Sequence, residues 1–223
     1  MRIVKNNERE DAMVRIRKCH KSDQNGIMEV CFRTGYMGED ATGHFRDIKL
    51  FGHLFCLYYP RYEPENCFVA EDKGRIVGYI LGSPDTTRQE HLFLVKMGWR
   101  LLLRAFFLTF WLYHQDFKTV VHFLRLPHAA IPKDLPSKYP AHLHIDILGA
   151  YQHKGIGSQL MERFEALMRK LKVRGIHLGT SEGNLKAIPF YKKLGYRIIH
   201  TDRVGMWPDA PEKRGLVFAK SLE

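Results

Sequence analysis

A strand-like run leads through a short glycine-containing loop directly into an amphipathic helix between residues 143 and 171. The run LHIDIL (143–148) alternates apolar and polar side chains, which is typical of a β-strand. After the loop, apolar residues recur at three- and four-residue spacing at Leu160, Met161, Phe164, Leu167, Met168 and Leu171. This spacing predicts a helix with one buried face, so the fold contains a strand and a helix joined by a tight loop.

The N-terminal part of the chain has the patterns of a strand, two helices and a hairpin. Residues 14–18 (VRIRK) predict a strand, and Ser22 or Asp23 is a candidate N-cap for a helix that reaches Phe32. A loop with three glycines follows (35–44), and we expect a second helix over much of Phe45–Tyr58. The segment 67–82 predicts a β-hairpin, because two β-rich runs flank the turn sequence DKG (72–74).

The C-terminal part alternates predicted strands with a short helix. GIHLGTS (175–181) predicts a strand, LKAIPFYKKLG (185–195) a helix that ends at Gly195, and RIIHT and GLVFAK the last two strands. The pattern predicts a mixed α/β fold, with an α+β-type sheet that has antiparallel and parallel parts.

Between the hairpin and LHIDIL lies a long segment with helical periodicity. Lys96, Arg100 and Arg104 share one helical stripe, while leucines at 101, 102, 108 and 112 fall largely on another side. This arrangement predicts a helix packed on the sheet with its charges outward. An interfacial membrane helix is an alternative, because Trp99 and Trp111 accompany the basic residues, and a lid over an acceptor site is another.

The composition restricts the class of protein that this chain can belong to, but it does not identify a ligand. The 223 residues are 45% hydrophobic, enough for a substantial core, and the net charge of +11 favours anionic partners. The N-terminus lacks the apolar core of a secretory signal, and the longest charge-free apolar stretch, 105–115, is far shorter than the roughly 20 residues of a spanning helix. We therefore expect a cytoplasmic protein with four reduced cysteines, no nucleic-acid partner and no membrane association.

The loop after LHIDIL has the spacing Q-x-x-G-x-G, from Gln152 to Gly157. A helix N-terminus offers unpaired N–H groups and the positive end of the helix dipole, so a phosphate or pyrophosphate is a natural ligand there. The spacing is neither that of dinucleotide-binding folds nor that of a P-loop. A tight turn without a ligand is the alternative.

The loop and a second motif together resemble the GNAT superfamily of acyl-CoA-dependent N-acyltransferases. That family carries Q/R-x-x-G/A-x-G/A between a strand and a helix, and an N-x-x-A-x-x-F-Y-x-K-x-G-F/Y segment similar to NLKAIPFYKKLGYRI (184–198). Within it, CFRTGYMGEDATGHFRD (31–47) and HLHIDIL (142–148) look most like acetyltransferase-like domains found beside protein O-GlcNAc hydrolases. One departure is Gly149, where many members carry proline.

The resemblance is firm over 143–198 and looser over 14–82. It implies a single GNAT-like domain over 1–223, with an N-terminal strand, two helices and hairpin (13–83), a helical insert (84–141) that the resemblance does not cover, and an acetyl-CoA-binding and C-terminal part (142–223).

The resemblance implies acetyl-CoA as co-substrate and no metal. The loop would bind pyrophosphate through main-chain N–H groups, the strand end would pair with the pantetheine arm, and an N–H near Leu148 could polarise the thioester carbonyl. Asn184 would contact the pantetheine amide, cap its helix, or do both. The implied cofactor-binding residues are Ile147, Leu148, Gln152, His153, Lys154, Gly155, Ile156, Gly157, Ser158, Asn184, Ala187 and Tyr191.

The implied catalytic residues are Tyr191, Asp146 and His144. Tyr191 matches the family tyrosine that often protonates the leaving thiolate, although packing beside Phe190 is an alternative. Strand alternation puts His144 and Asp146 on one face of LHIDIL, with Asp146 the first candidate for the base and His144 the second. Both residues could instead be polar groups on the accessible side of a strand. Glu39 and Asp40 could attract a cationic acceptor or remain solvated loop charges.

The sequence thus predicts an N-acetyltransferase that transfers an acetyl group from acetyl-CoA to a primary amine by direct attack in a ternary complex. The acceptor would be a small molecule or a protein or peptide, and a homodimer remains open. A non-catalytic acetyltransferase-like module that binds a protein or peptide is the main rival. A basic protein whose helical insert meets a membrane or nucleic acid is the third hypothesis.

Overall fold

The computed structural model describes residues 14–109, 111, 114–125, 132, 134–205 and 207–223. In these residues a seven-stranded sheet has the order β1-β2-β3-β4-β5-β7-β6, and every neighbouring pair is antiparallel except β4 and β5. The mixed α/β prediction is confirmed. The strands are β1 Arg15–Lys18, β2 Phe68–Asp72, β3 Arg75–Ser83, β4 Ala141–Ile147, β5 Gly175–Ser181, β6 Arg197–Gly205 and β7 Arg214–Ser221.

Helices cover both faces of the sheet. Two π-helical turns, Leu94–Gly98 and Ala105–Thr109, flank α5 and continue it in both directions. The helices are α1 Gln24–Thr34, α2 Ile48–Phe55, α3 Tyr58–Tyr62, α4 Thr86–Phe93, α5 Trp99–Arg104, α6 His114–Arg125, α7 Leu135–Lys138, α8 Ile156–Lys170 and α9 Ala187–Lys193.

The single helix predicted over Phe45–Tyr58 is two helices, α2 and α3, that meet near Cys56. Pro60 explains the break, because a proline has no N–H to donate to the carbonyl four residues earlier and its ring crowds that carbonyl. The helix predicted from Ser22 or Asp23 is α1, which follows a 3-10 turn over Lys21–Asp23. The Asp23 side chain accepts hydrogen bonds from the His20 amide and the Arg17 guanidinium but does not cap α1 itself.

The predicted hairpin is confirmed as β2 and β3. Lys73 and Gly74 have φ angles of 49° and 80°, the left-handed conformation that a two-residue turn needs to match the twist of the strands. β3 is buried from Ile76 to Ser83, which makes it a central strand.

Two apolar clusters lie on opposite faces of the sheet. One joins α1, α2 and α3 to side chains such as Tyr79 and Leu81 of β3. The other joins Leu160, Phe164 and Met168 of α8 to β4 and β5. The expected alternation of β4 is confirmed, because its apolar residues Leu143, Ile145 and Ile147 pack on the α8 side. On the other face, His142 and His144 contact Tyr59 of α3, and Asp146 contacts Tyr79 of β3.

The prediction that the insert helix turns its charges outward and its leucines inward holds for Lys96, Arg100 and Leu101 and is wrong for Arg104 and Leu102. Arg104 points inward and pairs with Asp47, which is 2% exposed at the start of α2, while Leu102 and Leu103 are exposed. The physical reason is that α5 packs across α2, where a buried carboxylate requires a cation.

Two further properties concern the cysteines and the helix lengths. All four cysteines, Cys19, Cys31, Cys56 and Cys67, are free and buried, as expected for reduced thiols. In the part of the chain that the structure describes, no helix is long and apolar enough to cross a membrane.

Candidate functional site

The two parallel strands β4 and β5 pair at one end and separate along the rest of their length. Their ladder contains Ala141 with Ile176 and His142 with His177, and β4 then continues without pairing to β5 as far as Ile147. A cavity of about 460 Å³ lies at this end of β4, beside the first turn of α8 and beside α9. The gap therefore exposes a strand edge at which an extended ligand could form hydrogen bonds.

The loop from Gln152 to Gly157 shapes the wall of this cavity. His153 and Gly155 have positive φ angles of 60° and 77°, and the first amide bonded within α8 is that of Gln159, which donates to the Gly155 carbonyl. The amides of the first helical turn have no acceptor inside the helix, so they and the helix dipole favour an anion. A Cβ on Gly157 would lie 3.1 Å from Phe190 and 3.3 Å from Ile147, so glycine keeps this wall open.

Nine of the twelve residues predicted to bind the cofactor line the cavity. They come from the end of β4, the loop, the first turn of α8 and the start of α9. They are Ile147, Gln152, His153, Gly155, Gly157, Ser158, Asn184, Ala187 and Tyr191. The side chain of Gln152 donates from Nε2 to the Ile147 carbonyl at 2.9 Å and so ties the loop to the strand.

The other three predicted cofactor residues are not among the residues lining the cavity. The Leu148 amide donates to the Val77 carbonyl of β3 at 3.0 Å, so it cannot polarise a thioester carbonyl in the gap. Antiparallel strands use alternate residues for each neighbour, which turns the Ile147 amide toward the gap instead. Ile156 is 4% exposed and packs its side chain in the core, and Lys154 lies over the Tyr151 ring at 5.2 Å.

Asp146 lines the cavity and accepts a hydrogen bond from the Tyr79 hydroxyl at 2.5 Å. Asp146 is half-buried in the structure. Burial raises the pKa of Asp146 to about 7, and the Tyr79 hydrogen bond opposes that increase. A carboxyl with this pKa is half ionised near neutral pH and can accept a proton from an amine.

His144 lies two residues before Asp146 on β4 and is not among the residues that line the cavity. Its ring packs edge-on to Tyr59, and the Tyr59 hydroxyl lies 3.1 Å from Nδ1 of His142. Burial and the nearby His177 lower the pKa of His144 to about 4, so its imidazole is neutral and weakly basic. Position and pKa both favour Asp146 as the base.

Tyr191 reaches the cavity from α9 and is 6% exposed. Its ring packs against Phe190 and Phe218, so the packing alternative holds together with the cavity position. Burial, with a smaller contribution from the Asp146 charge, raises the pKa of Tyr191, which keeps its hydroxyl protonated.

Asn184 and the two acidic loop residues each have a structural partner. Asn184 accepts a hydrogen bond from the Ala187 amide at 3.2 Å, so it caps α9 while it lines the cavity. Glu39 pairs with Lys186, and Asp40 pairs with Arg33. Neither carboxylate is among the residues lining the cavity, and both are held by cations of the chain itself.

Sequence reasoning missed Tyr79, Lys186 and Lys193. Tyr79 is opposite Asp146 in the register of β3 and β4, a pairing that the alternation of the two predicted strands could have suggested. Lys186 and Lys193 line the cavity from the segment between 184 and 198 and bring positive charge to its mouth. Both lysines lie within the second motif, NLKAIPFYKKLGYRI (184–198), and that position is the sequence signal that could have identified them.

Among the described residues, no group of three or more histidines, cysteines and acidic residues is arranged to hold a metal ion. The imidazole of His142 contacts those of His144 and His177, with ring centroids 4.7 and 5.1 Å apart. Burial lowers the pKa of each, so the cluster is uncharged.

Known proteins share this fold. The chain superposes on the protein described as SsHAT with a TM-score of 0.75 and 28% identity, over 94% of this chain and 98% of that one. The Drosophila melanogaster polyamine N-acetyltransferase, described as an enzyme that catalyses the formation of N-acetylagmatine, gives a TM-score of 0.60 at 17% identity, over 94% and 100% of the two chains. The putative acetyltransferase yncA of Salmonella typhimurium, solved with acetyl-CoA, gives 0.54 at 14% identity, over 95% of each chain.

Sequence comparison agrees with the fold. The chain has the GNAT acetyltransferase fold. Residues 120–196, about a third of the chain, match the family model described as Acetyltransferase (GNAT) family. The uncharacterized protein YxbD of Bacillus subtilis (strain 168) is 37% identical over 54 residues, which are 24% of this chain and 34% of YxbD. That match therefore spans about a third of the relative's length.

The residues present fit the pyrophosphate and pantetheine of coenzyme A. Glycine at 155 and 157 leaves room beside the amides of the first turn of α8, and a Cβ at 157 would already touch Phe190 and Ile147. The unpaired edge of β4 offers backbone groups to an extended amide chain. Lys193 supplies positive charge next to this path, while Lys186 lines the cavity and pairs with Glu39.

Proposed function

We propose that this chain is an N-acetyltransferase that transfers an acetyl group from acetyl-CoA to a primary amine. The observation that carries the proposal is one cavity in which an anion-binding helix N-terminus, a strand edge, Asp146 and Tyr191 meet. A tight turn without a ligand would need neither the buried carboxyl nor the strand edge.

Acetyl-CoA would lie along the loop and the gap between β4 and β5. The amides of Gly155, Gly157 and Ser158 would bind the pyrophosphate, and the edge of β4 with Asn184 would bind the pantetheine arm. The Ile147 amide would be the donor near the thioester carbonyl, in place of the Leu148 amide. When bound, acetyl-CoA supplies a thioester that an amine nitrogen can attack.

Two side chains of this protein would carry out the two proton transfers of the reaction, one from the amine and one to the leaving thiolate. An amine arrives largely as its ammonium form, and the Asp146 carboxylate would accept the proton, directly or through water. The Tyr191 hydroxyl holds a proton at the cavity wall and would donate it to the departing sulfur. Burial of Asp146 raises its pKa to about 7, which suits a general base, since a base is most effective when its pKa lies near the working pH.

A cationic amine is the acceptor class we propose. The neighbours described as agmatine and polyamine N-acetyltransferases act on such amines, and they share the fold of this chain at 17% identity. The narrower likeness to acetyltransferase-like domains beside protein O-GlcNAc hydrolases stays a prediction, as do a cytoplasmic location and a homodimer. A protein or peptide amine is the second acceptor class to test.

The test is release of free coenzyme A thiol from acetyl-CoA in the presence of agmatine, spermidine and a lysine peptide. We expect the native protein to release thiol with at least one amine. Tyr191→Phe should lower kcat by about 10²-fold, the size of a lost general acid. Tyr196→Phe is the matched control, because Tyr196 is buried next to Tyr191 but does not line the cavity, and it should keep native turnover.

The rival is a module that binds a protein or peptide in the same cleft without catalysis. It predicts acetyl-CoA or peptide binding without thiol release for any amine. Native protein that binds acetyl-CoA tightly and releases no thiol across the amine panel would contradict the proposed activity.

A further inference from the structure

Eight large apolar side chains are exposed in the insert, seven of them along one side of the helical rod 94–109 and the eighth at residue 111. Their exposed fractions run from 48% to 72%. We call this surface the outer face; it consists of Leu94, Val95, Trp99, Leu102, Leu103, Phe106, Phe107 and Trp111. Monomeric proteins rarely expose so many large apolar side chains in one place unless the surface binds something.

The rod is fixed in this orientation by its opposite side. Met97 is fully buried, Leu101 packs against the same core, and Arg104 binds Asp47 through three guanidinium contacts of 2.6 to 3.1 Å. Rotation of the rod to bury the outer face would break the Arg104–Asp47 pair and expose Met97. The outer face is therefore a stable surface of the fold.

Spacing along the rod makes the outer face continuous. Val95, Trp99, Leu102 and Phe106 follow one another at intervals of four, three and four residues, so they form one stripe on a helix. Leu103 and Phe107 widen the stripe on one side, where they continue the line of Lys96 and Arg100.

Positive charge accompanies the apolar stripe. Lys96 and Arg100 are exposed beside it, and the Arg100 guanidinium lies 5.2 Å from the centre of the Trp99 ring. Among the described residues, no acidic side chain lies within ion-pair distance of Lys96 or Arg100. The segment 86–111 contains four basic residues and one acidic residue, within a chain of net charge +11.

We propose that the outer face docks on an anionic phospholipid surface. An interfacial helix buries an apolar stripe rich in tryptophan, phenylalanine and leucine at the boundary of headgroups and acyl chains, while flanking cations meet anionic headgroups. A second copy of this chain would bring another charge of +11 to the same surface, so charge complementarity favours the lipid. The protein lies on the membrane and does not span it.

This inference reverses the expectation from sequence that the chain has no membrane association. The sequence pattern allowed an interfacial membrane helix only as an alternative to a helix packed on the sheet, and the structure favours that alternative because it turns Leu102, Leu103, Phe106 and Phe107 outward. The proposal does not depend on the acetyltransferase proposal, because it rests on residues outside the cavity.

The test is co-sedimentation of the full chain with two kinds of vesicle, phosphatidylcholine alone and phosphatidylcholine with about 30% phosphatidylserine. We expect binding to the phosphatidylserine vesicles that weakens at high salt, because the electrostatic part is screened. The triple variant Trp99→Ser, Leu102→Ser, Phe106→Ser should bind at least about tenfold more weakly. The matched control replaces exposed apolar residues elsewhere, Leu171→Ser, Leu185→Ser, Ile199→Ser, and should bind as the native protein does.

Charge and tryptophan emission give two further measurements. Lys96→Glu with Arg100→Glu should abolish the preference for phosphatidylserine, whereas Arg163→Glu with Lys170→Glu, exposed residues of α8, should leave a clear preference. Native tryptophan emission should move to shorter wavelength when phosphatidylserine vesicles are added, because Trp99 and Trp111 are exposed and Trp207 is already 2% exposed.

Two results would overturn the proposal. The first is no binding of the native protein to phosphatidylserine vesicles at low salt. The second is a stable dimer by light scattering that the triple outer-face variant converts to a monomer, which would make the outer face a contact between two copies of this chain.

Discussion

Replacing Tyr79 with phenylalanine removes the hydroxyl that donates to Asp146 at 2.5 Å. A hydrogen bond to a charged group contributes about 1.5–3 kcal/mol, and 1.36 kcal/mol corresponds to one pH unit in a pKa. Tyr79→Phe should therefore raise the pKa of Asp146, already about 7, by about one to two pH units. The ionised fraction at pH 7 would fall from about one half to between about one tenth and one hundredth.

If Asp146 is the base, kcat/KM at pH 7 should fall by about 5- to 50-fold in Tyr79→Phe, and most of the loss should be recovered at alkaline pH. The assay is the pH profile of kcat/KM for an amine that the native protein acetylates. The acidic limb of the profile should move to higher pH by the same one to two units, about the size of the change in pKa.

Tyr59→Phe is the matched control. Tyr59, in α3, is also a buried tyrosine of the same apolar cluster, but its hydroxyl contacts His142 instead of Asp146. It should leave the acidic limb in its native position even if it lowers the melting temperature. An acidic limb that stays in place in Tyr79→Phe, or moves equally in both variants, would refute the assignment of Asp146.

Three further predictions concern stability. Arg104→Ala should lower the free energy of unfolding by about 3 kcal/mol, because it removes a cation from a buried carboxylate, Asp47, whereas Arg214→Ala, at an exposed pair, should change it far less, as measured by urea unfolding. His144, with its pKa lowered to about 4, should contribute stability above pH 6.5 that is lost as pH falls toward 4, by up to about 3 kcal/mol. His144→Gln should remove this part of the pH dependence, so that its melting temperature falls less than that of the native protein between pH 6.5 and 4. Asp146 has a raised pKa, so its contribution to stability is fully present below pH 4 and is lost as pH rises through 7. Asp146→Asn should therefore melt near the native temperature at pH 4 and above it at pH 8. A variant that melts at the native temperature at both pH values would contradict the raised pKa.

Local patterns were enough to predict most of the sheet and the loop of the candidate site. The turn at 72–74 required left-handed backbone conformations that Lys73 and Gly74 adopt, and the alternation of β4 placed Asp146 on the correct face. These features depend on residues close in sequence, so periodicity and turn chemistry carry the information.

Contacts between distant residues could not be predicted in the same way. The Leu148 amide was expected to be available, but it is used by Val77 of β3, and that choice depends on the register of two strands about 70 residues apart. The orientation of the insert rod depends on the buried carboxylate of Asp47, 57 residues before Arg104. Helical periodicity predicts which residues share a face of the helix. It does not predict which face will turn toward a buried carboxylate that is distant in sequence.

The central claim is the pyrophosphate site at the start of α8, and a thermal-shift titration with acetyl-CoA tests it most directly. At about 100 times its Kd, a ligand that binds the folded state alone adds about 2.7 kcal/mol of stability, or about 5–10 °C in Tm for a chain of this size. We predict that shift for the native protein, a much smaller one with ATP, and none for Gly155→Glu with Gly157→Glu. The matched control, Gly43→Glu with Gly98→Glu, changes two glycines with open space around them and should keep the shift. Native protein that gives no shift with acetyl-CoA, or a shift that the Gly155 and Gly157 variant retains, would contradict the site.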